Sequence, residues 1–421
     1  MKQAYECVVV GGGPAGGSAA SIVAASGRST LLVERDAVPR FHVGESLMPE
    51  TYWPLERLGL SERIAEAGWQ AKKSVQFVTH TGKDSEPFFF RDHDDRDCST
   101  TWQVERSEFD KMLFDRAAEL GADCYDQTRL TDVRFEDADS PETSKVVGVT
   151  LRDGNGESHD IDCDVFIDAT GQQSYLANKL GLKEVDPNLK KAAIWTYYRD
   201  ATRGEGDNEG ATIILNTESR DAWFWFIPQS RGITSIGCVA DRDYLLRGRG
   251  TPEQVFDDEL TKCPGLLPRL VNATRVGKIS TAKEFSYMTS QHAGPGWVLV
   301  GDAFGFIDPV YSSGVYFALE MGVRAGDAVV EGLNGGDLSA TQLGKWAEDF
   351  KIGASHVRQL VHAFYDKDFS IGRFMKEHPE YRSNLTDLLI GRIFHEDAGR
   401  MFPAMRESIE MAKAEAAMAS L

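Results

Sequence analysis

A chain of 421 residues with 42% hydrophobic and 26% charged content can bury a large core, and reads as one large or two interleaved globular domains. A formal net charge of −19 repels phosphate polymers and anionic lipid at long range, which speaks against nucleic-acid and membrane-surface partners. Six scattered cysteines (Cys7, Cys98, Cys124, Cys163, Cys238, Cys263) show no CxxC spacing, so the reading is reduced thiols, no disulfide framework and no metal. Neither a signal-peptide apolar region nor an apolar run of membrane-span length is found, and the expected location is the cytoplasm.

Residues 6–10 form a β-branched apolar run, 14–26 are small and helix-compatible, and 30–33 return to strand character. Polar residues dominate from about 35 to 110, a stretch of loops and short helices expected to cover a cofactor. An amphipathic helix is predicted over 107–120 and strands near 146–151 and 161–167, the second ending in Asp168-Ala169-Thr170-Gly171. Strand-like runs at 211–215, 223–228 and 234–239 suit an antiparallel sheet walling a substrate chamber. A last strand, 297–300, leads into Gly301-Asp302 and a long helix over about 314–334. The rest, 339–421, is helix-like, with breaks near Gly372, Pro379 and Pro403.

The fold expected is α/β: a Rossmann-type nucleotide-binding domain (1–80, 101–185 and 280–335), an interleaved antiparallel-sheet substrate domain (81–100 and 186–279) and C-terminal helices (336–421). The turn Gly11-Gly12-Gly13-Pro14-Ala15-Gly16 fits G-x-G-x-x-G between a strand and a helix, with Glu34 at a strand end 23 residues after Gly11. Gly11 permits the tight turn, Gly13 lets backbone approach a pyrophosphate, and Gly16 allows close helix packing. The helix start offers free N–H groups to an anion, and Glu34 accepts ribose hydroxyls. A glycine turn without ligand leaves Glu34 and the helix start unexplained; the cradle alone fits either NAD or FAD.

Asp168-Ala169-Thr170-Gly171, Gly301-Asp302-Ala303 and Arg40-Phe41-His42-Val43-Gly44-Glu45-Ser46 resemble the flavin fingerprints of the hydroxylase-like FAD-dependent oxidoreductases. The resemblance extends over about residues 5–350 and implies FAD contacts from Arg35, Arg40, Glu45, Ser46, Arg106, Asp302, Pro309 and Gly314, besides Gly11 to Gly16 and Glu34. Without it, Arg106 reads equally well as a surface arginine at a helix start.

Within that superfamily, Trp223-Phe224-Trp225-Phe226-Ile227-Pro228 and Phe306-Ile307-Asp308-Pro309-Val310-Tyr311-Ser312-Ser313-Gly314 match W-x-W-x-I-P and F-x-x-P-x-x-S-x-G, patterns of flavin-dependent halogenases. The length resembles the short group that acts on phenols, pyrroles or carrier-tethered aromatics. The resemblance gives Trp223 and Trp225 the task of keeping the organic substrate off the flavin, whereas without it two tryptophans alternating on a strand are more often core. Backbone N–H groups at Ser313 and Gly314 can form a nest for chloride or bromide; the plain alternative is a capping loop. Of the pair Lys72-Lys73, Lys72 best matches the halogenase lysine by its spacing to Phe77, whereas paired lysines otherwise make a solvated face.

The implied chemistry is that FADH2 from a separate flavin reductase reacts with O2 to give a flavin hydroperoxide, which halide converts to hypohalous acid for attack on a phenol or pyrrole. The strong negative charge favours a free small aromatic over one tethered to an acidic carrier protein. Two rivals keep the same cofactor: a monooxygenase or geranylgeranyl-reductase-like oxidoreductase, and a flavin-binding protein without catalysis.

Overall fold

The computed structural model describes residues 1–419, with the side chains of 284, 285 and 419 left aside. Two sheets share the chain. The first orders its strands Ala293–Gly294, Trp297–Leu299, Ser158–Asp168, Ala4–Val10, Thr30–Val33 and Asp123–Tyr125, with Val146–Arg152 and Arg129–Phe135 branching from Ser158–Asp168. Ala4–Val10 lies parallel to both Thr30–Val33 and Ser158–Asp168, which is in turn parallel to Trp297–Leu299. Val8, Val9, Leu31, Leu32, Phe166 and Val298 are wholly buried, as expected of parallel strands covered on both faces. The glycine turn, Glu34, Asp168 and Gly301 all follow or close the carboxyl ends of these strands, where open α/β sheets bind ligands.

Helix Pro14–Ala25 crosses this sheet and packs against the long helix Gly314–Gly335. The two backbones come close because Gly322 and Gly326 carry no side chain: a Cβ on Gly322 would lie 2.4 Å from the carbonyl oxygen of Ala15, and one on Gly326 2.8 Å from Ile22 Cβ. Helix Pro14–Ala25, behind the glycine turn, and the helix of the F-x-x-P-x-x-S-x-G segment are thereby held as one unit.

The second sheet has nine strands, with Ser280–Thr289, Lys183–Arg199, Ile233–Asp241, Ala222–Pro228 and Thr212–Asn216 as its antiparallel middle. Ser74–Val78 extends it in parallel beside Thr212–Asn216. The structure thus places Ser74–Val78 and Ser280–Thr289 in the second sheet, whereas the boundaries expected from sequence gave both to the nucleotide domain. Beside short local pairings, these strands take their main partners from segments more than 80 residues away, and no local pattern records such partners. One face (Ile194, Phe224, Phe226, Ile236) packs under helices Arg242–Leu246 and Pro252–Thr261. The other (Trp195, Ile214, Trp223, Val239) joins the core that contains Val310 and Tyr311.

Helices Ala347–Tyr365, Ile371–Glu377, Arg382–Ile390 and Phe402–Ala419 complete the chain. Pro403 breaks nothing: it stands in the first turn of Phe402–Ala419, where its missing N–H has no intrahelical acceptor to lose. Among the described residues no helix is long and apolar enough to cross a membrane.

Candidate active site

Gly11 has φ +115°, and a Cβ there would sit 2.0 Å from the carbonyl oxygen of Ala169; one on Gly16 would sit 1.9 Å from that of Gly11. These two glycines are demanded by protein packing. Gly13 differs: a Cβ there meets only Arg40 Nη2, at 3.4 Å. Gly13 is also the N-cap of Pro14–Ala25 and supplies no side-chain cap, which leaves the first-turn amides around Ala15 and Gly16 to an outside anion. An open glycine before an uncapped helix fits a pyrophosphate, and so fits FAD.

Glu34, buried at the end of Thr30–Val33, accepts hydrogen bonds from the amides of Gly12 (2.9 Å) and Asp36 (3.1 Å). Arg40 bridges Glu34 (3.1 Å) and Asp110 (2.7 Å). Asp110 also pairs with Arg106 at 2.9 Å, and the two guanidinium groups hold its carboxyl below the usual range despite burial. Arg106 is therefore no surface residue; its guanidinium further donates to the carbonyl oxygens of Val43 (2.7 Å) and Gly44 (3.2 Å). Arg35 is exposed and reaches Gln173 Oε1 at 3.1 Å.

Gly301, at φ +61°, turns the chain against the opening helix, where its Cβ would lie 2.9 Å from Ala15 Cβ. Asp302 follows, and burial pushes its carboxyl up to about 6 against the opposing charges of Arg106 and Lys183. Asp168 faces inward, its oxygens taken by Thr170 (2.9 Å from N, 2.7 Å from Oγ1) and Leu176 N (2.7 Å), so it shapes the turn. Glu45 accepts the phenol proton of Tyr197 at 2.7 Å, and burial raises its carboxyl.

Lys72 ends the strand Gln70–Lys72, is 4% exposed, and faces inward, while Lys73 points out to Asp207 at 2.6 Å. Lys72 closes its short strand while Lys73 lies in the link to Ser74–Val78, and the two side chains diverge there. Lys72 Nζ donates to Ser46 Oγ (2.9 Å) and to the carbonyl oxygen of Leu47 (2.8 Å), and lies 5.7 Å from the centre of the Phe90 ring. No carboxylate pairs with it among the described residues, and desolvation lowers its pKa from 10.5 to about 7. Ser46 Oγ is itself 2.8 Å from Thr212 Oγ1, so this serine is turned towards the lysine. A narrow cavity in front of Lys72 is lined by Phe90, Ile214, Val310, Tyr311, Ser312 and Leu389.

The segment after Phe306 forms a short turn, Pro309–Tyr311, capped by Asp308, whose Oδ1 accepts from Val310 N at 3.2 Å. Ser312 is left-handed (φ +61°) and Ser313 right-handed (φ −78°), which converges successive amides in the manner of an anion nest. Ser313 N-caps Gly314–Gly335 without a side-chain hydrogen bond, and the space where a Gly314 Cβ would stand is open.

Trp223 and Trp225 project from one face of Ala222–Pro228, the face that meets this turn. Trp225 donates to Ser235 Oγ at 3.1 Å, and Trp223 to the Tyr365 hydroxyl at 2.9 Å. A third indole, Trp195, lies 6.3 Å from Trp225, centre to centre, and Trp223, two residues along the same strand, lies 6.4 Å from it. Gly237 is the register neighbour of both Trp195 and Trp225, and a Cβ on it would fall 2.1 Å from the Trp225 ring. Trp195, Gly237, Phe90, Tyr365 and Leu389 escaped the sequence reading; only cross-strand and long-range pairing brings them here.

A family model described as an FAD binding domain matches residues 4–336. A 1H-pyrrole-2-carbonyl-[peptidyl-carrier protein] brominase of Pseudoalteromonas luteoviolacea is 30% identical over 411 residues, covering 97% of each chain. This chain belongs to the flavin-dependent halogenases. A pyrrole-2-carbonyl carrier-protein chlorinase of Pseudomonas fluorescens is 28% identical over 96% of the halogenase described here and 93% of its own length. The solved structure of the flavin-dependent brominase Bmp2 superposes with a TM-score of 0.86 at 28% identity, covering 98% of this halogenase and all (100%) of that chain. The myxobacterial chondrochloren halogenase CndH gives 0.80 at 28% identity, with 94% and 96% covered. FAD and halide use follow from this membership, as does the assignment as an oxidoreductase.

Proposed function

We propose that this halogenase places chlorine or bromine on a pyrrole ring presented as a carrier-protein thioester, with Lys72 carrying the halogen to the ring. The observation behind the role of Lys72 is its inward, unpaired amine at the cavity wall, lowered to about 7. In the neutral form its two N–H groups are used by Ser46 and Leu47, which leaves the nitrogen lone pair for the cavity. That lone pair takes the halogen from hypohalous acid with loss of water; the aromatic carbon then takes it from nitrogen, and the ring proton returns to the amine.

Bound in the cradle, reduced FAD supplies the two electrons that, with O2 and halide, generate hypohalous acid. Gly13, the Pro14–Ala25 helix start, Glu34, Arg40, Arg106 and Asp302 hold that cofactor; the Ser313 and Gly314 amides hold halide. The indoles of Trp223 and Trp225 keep the ring on the Lys72 side, away from the flavin. A separate flavin reductase supplies the reduced cofactor, in keeping with a single G-x-G-x-x-G turn in the chain. Six free cysteines suit a cytoplasmic site of action.

The pyrrolyl thioester reading is supported by length: the two pyrrole-carrier halogenases match end to end, whereas a sulochrin halogenase of Aspergillus terreus is matched over 68% of its length. A free phenol is the second reading, favoured by the charge of −19, which works against an acidic carrier. The enzyme with FAD, a flavin reductase, NADH, O2 and bromide or chloride is offered pyrrole-2-carbonyl carrier protein, free pyrrole-2-carboxylate and simple phenols. Halogenated carrier-bound pyrrole supports the first reading; product from free phenols alone replaces it with the second.

A further inference from the structure

The two halogenase patterns are joined by a side chain that belongs to neither. Trp223 Nε1 donates to the hydroxyl of Tyr365 at 2.9 Å, and that hydroxyl donates to Asp308 Oδ2 at 2.9 Å. The direction is forced: an indole nitrogen can only donate, so the phenol oxygen accepts from it and sends its own proton to the carboxylate. Asp308 in turn caps the Pro309–Tyr311 turn through Oδ1, and its amide donates to Ser286 Oγ at 3.0 Å. One phenol therefore ties the indole strand Ala222–Pro228 to the turn that ends in Ser312, Ser313 and Gly314.

We propose that Tyr365 is a positioning residue for halogenation, fixing the Trp223 indole and the Asp308 turn in register so that oxidant passes to Lys72 without leaking.

The surroundings are built for it. Tyr365 closes helix Ala347–Tyr365, and Lys191 Nζ stands 3.8 Å from the centre of its ring while pairing with Asp241 at 2.7 Å. Phe364, its chain neighbour, packs edge-on against both Trp223 (5.8 Å) and Tyr311 (6.1 Å). Among the described residues the charged and titratable groups facing Asp308 are Tyr365, Lys191 and Tyr311; burial raises the Asp308 carboxyl to about 6, with Tyr365 and Lys191 opposing. The tether thus exists at neutral pH, where this carboxylate is charged and accepts the phenol proton. The proposal rests on reading Ser313 and Gly314 as the halide nest and the indoles as the shield.

The test uses FAD-loaded enzyme carrying ¹⁵N-tryptophan, with the Trp223 indole N–H resonance assigned through Trp223→Phe. Tyr365→Phe keeps the ring and removes the hydroxyl. It is expected to move that resonance, to weaken bromide binding read from the same signal by about 3- to 10-fold, as loss of one hydrogen bond does, and to raise peroxide released per FADH2 while FAD affinity holds. Asp308→Ala should reproduce these changes, and Asp308→Asn, which keeps an acceptor oxygen, should restore much of them. Wild-type resonance position and peroxide yield in Tyr365→Phe overturn the proposal. If bromide moves no signal even in the wild type, the halide nest is misplaced, and the resonance and peroxide yield still judge Tyr365. Should Tyr365→Phe fail to fold, Trp223→Phe breaks the same tether from the other end, and a wild-type peroxide yield there overturns the proposal equally.

Discussion

Lys72 Nζ lies 2.9 Å from Ser46 Oγ, and that hydroxyl lies 2.8 Å from Thr212 Oγ1, so a residue of the 40–46 segment and a residue of the second sheet jointly aim the amine. Removing the hydroxyl leaves Leu47 as the lysine's remaining acceptor. Ser46→Ala is expected to lower kcat about 10-fold, the scale of one hydrogen bond to a group acting in the transition state, with FAD affinity unchanged by titration. An equal loss of FAD binding would instead make Ser46 a cofactor ligand.

The pH dependence follows from the buried amine. If the neutral form accepts the halogen, kcat rises through about pH 7 and levels off above it. Stability runs the same way. The folded-state pKa lies below the unfolded value, so between about 7 and 10.5 the unfolded chain holds a proton that the folded one lacks, and stability rises with pH. Below about 7 both states are charged and the burial cost is full. Lys72→Met, which removes that cost, should stabilise the fold at pH 7 by roughly 1–3 kcal/mol, an advantage that shrinks towards pH 10 in denaturant titrations.

The cradle glycines divide into two kinds, and substitution separates them. Gly16→Ala drives a Cβ to 1.9 Å from backbone and should destabilise the protein by about 1–3 kcal/mol or more. Gly13→Ala has room in the protein and should keep its melting temperature, yet lose at least about 10-fold in FAD affinity because the methyl intrudes where backbone must meet pyrophosphate. Thermal melts and flavin fluorescence titration check both.

Gly237→Ala places a methyl group 2.1 Å from the Trp225 ring, so the indole must leave its position beside Trp195 and Trp223. A stability loss of about 1–3 kcal/mol is expected, with increased peroxide release per product formed.

What the sequence made legible, and what it hid, follows from distance along the chain. The cradle could be read because turn, helix start and Glu34 lie within 24 residues (11 to 34) and each answers a local demand. Helix 107–120 appears as Arg106–Glu119 and the strand at 223–228 as Ala222–Pro228, since periodicity marks such elements well. Trp195 and Gly237 stayed hidden because their meaning arises only when Lys183–Arg199, Ile233–Asp241 and Ala222–Pro228 fall into register. Phe90 and Leu389 wall the cavity from the short helical turn Phe90–Asp92 and the C-terminal helix Arg382–Ile390, about 300 residues apart, so nothing in either neighbourhood reports the other. Spacing to Phe77 favoured Lys72 over Lys73, and the tertiary placement decides which turns inward: Lys72 closes Gln70–Lys72 and is buried, while Lys73, in the link to Ser74–Val78, turns out to Asp207.

The most direct test of the central claim compares Lys72→Met with wild type, both FAD-loaded and supplied with reductase, NADH, O2 and bromide, measuring halogenated product against FADH2 oxidised. The expected result is a loss of product of at least about 100-fold, the scale of a removed catalytic group, with flavin reoxidation within about 3-fold of wild type. Product from Lys72→Met at more than about a tenth of the wild-type rate would contradict it.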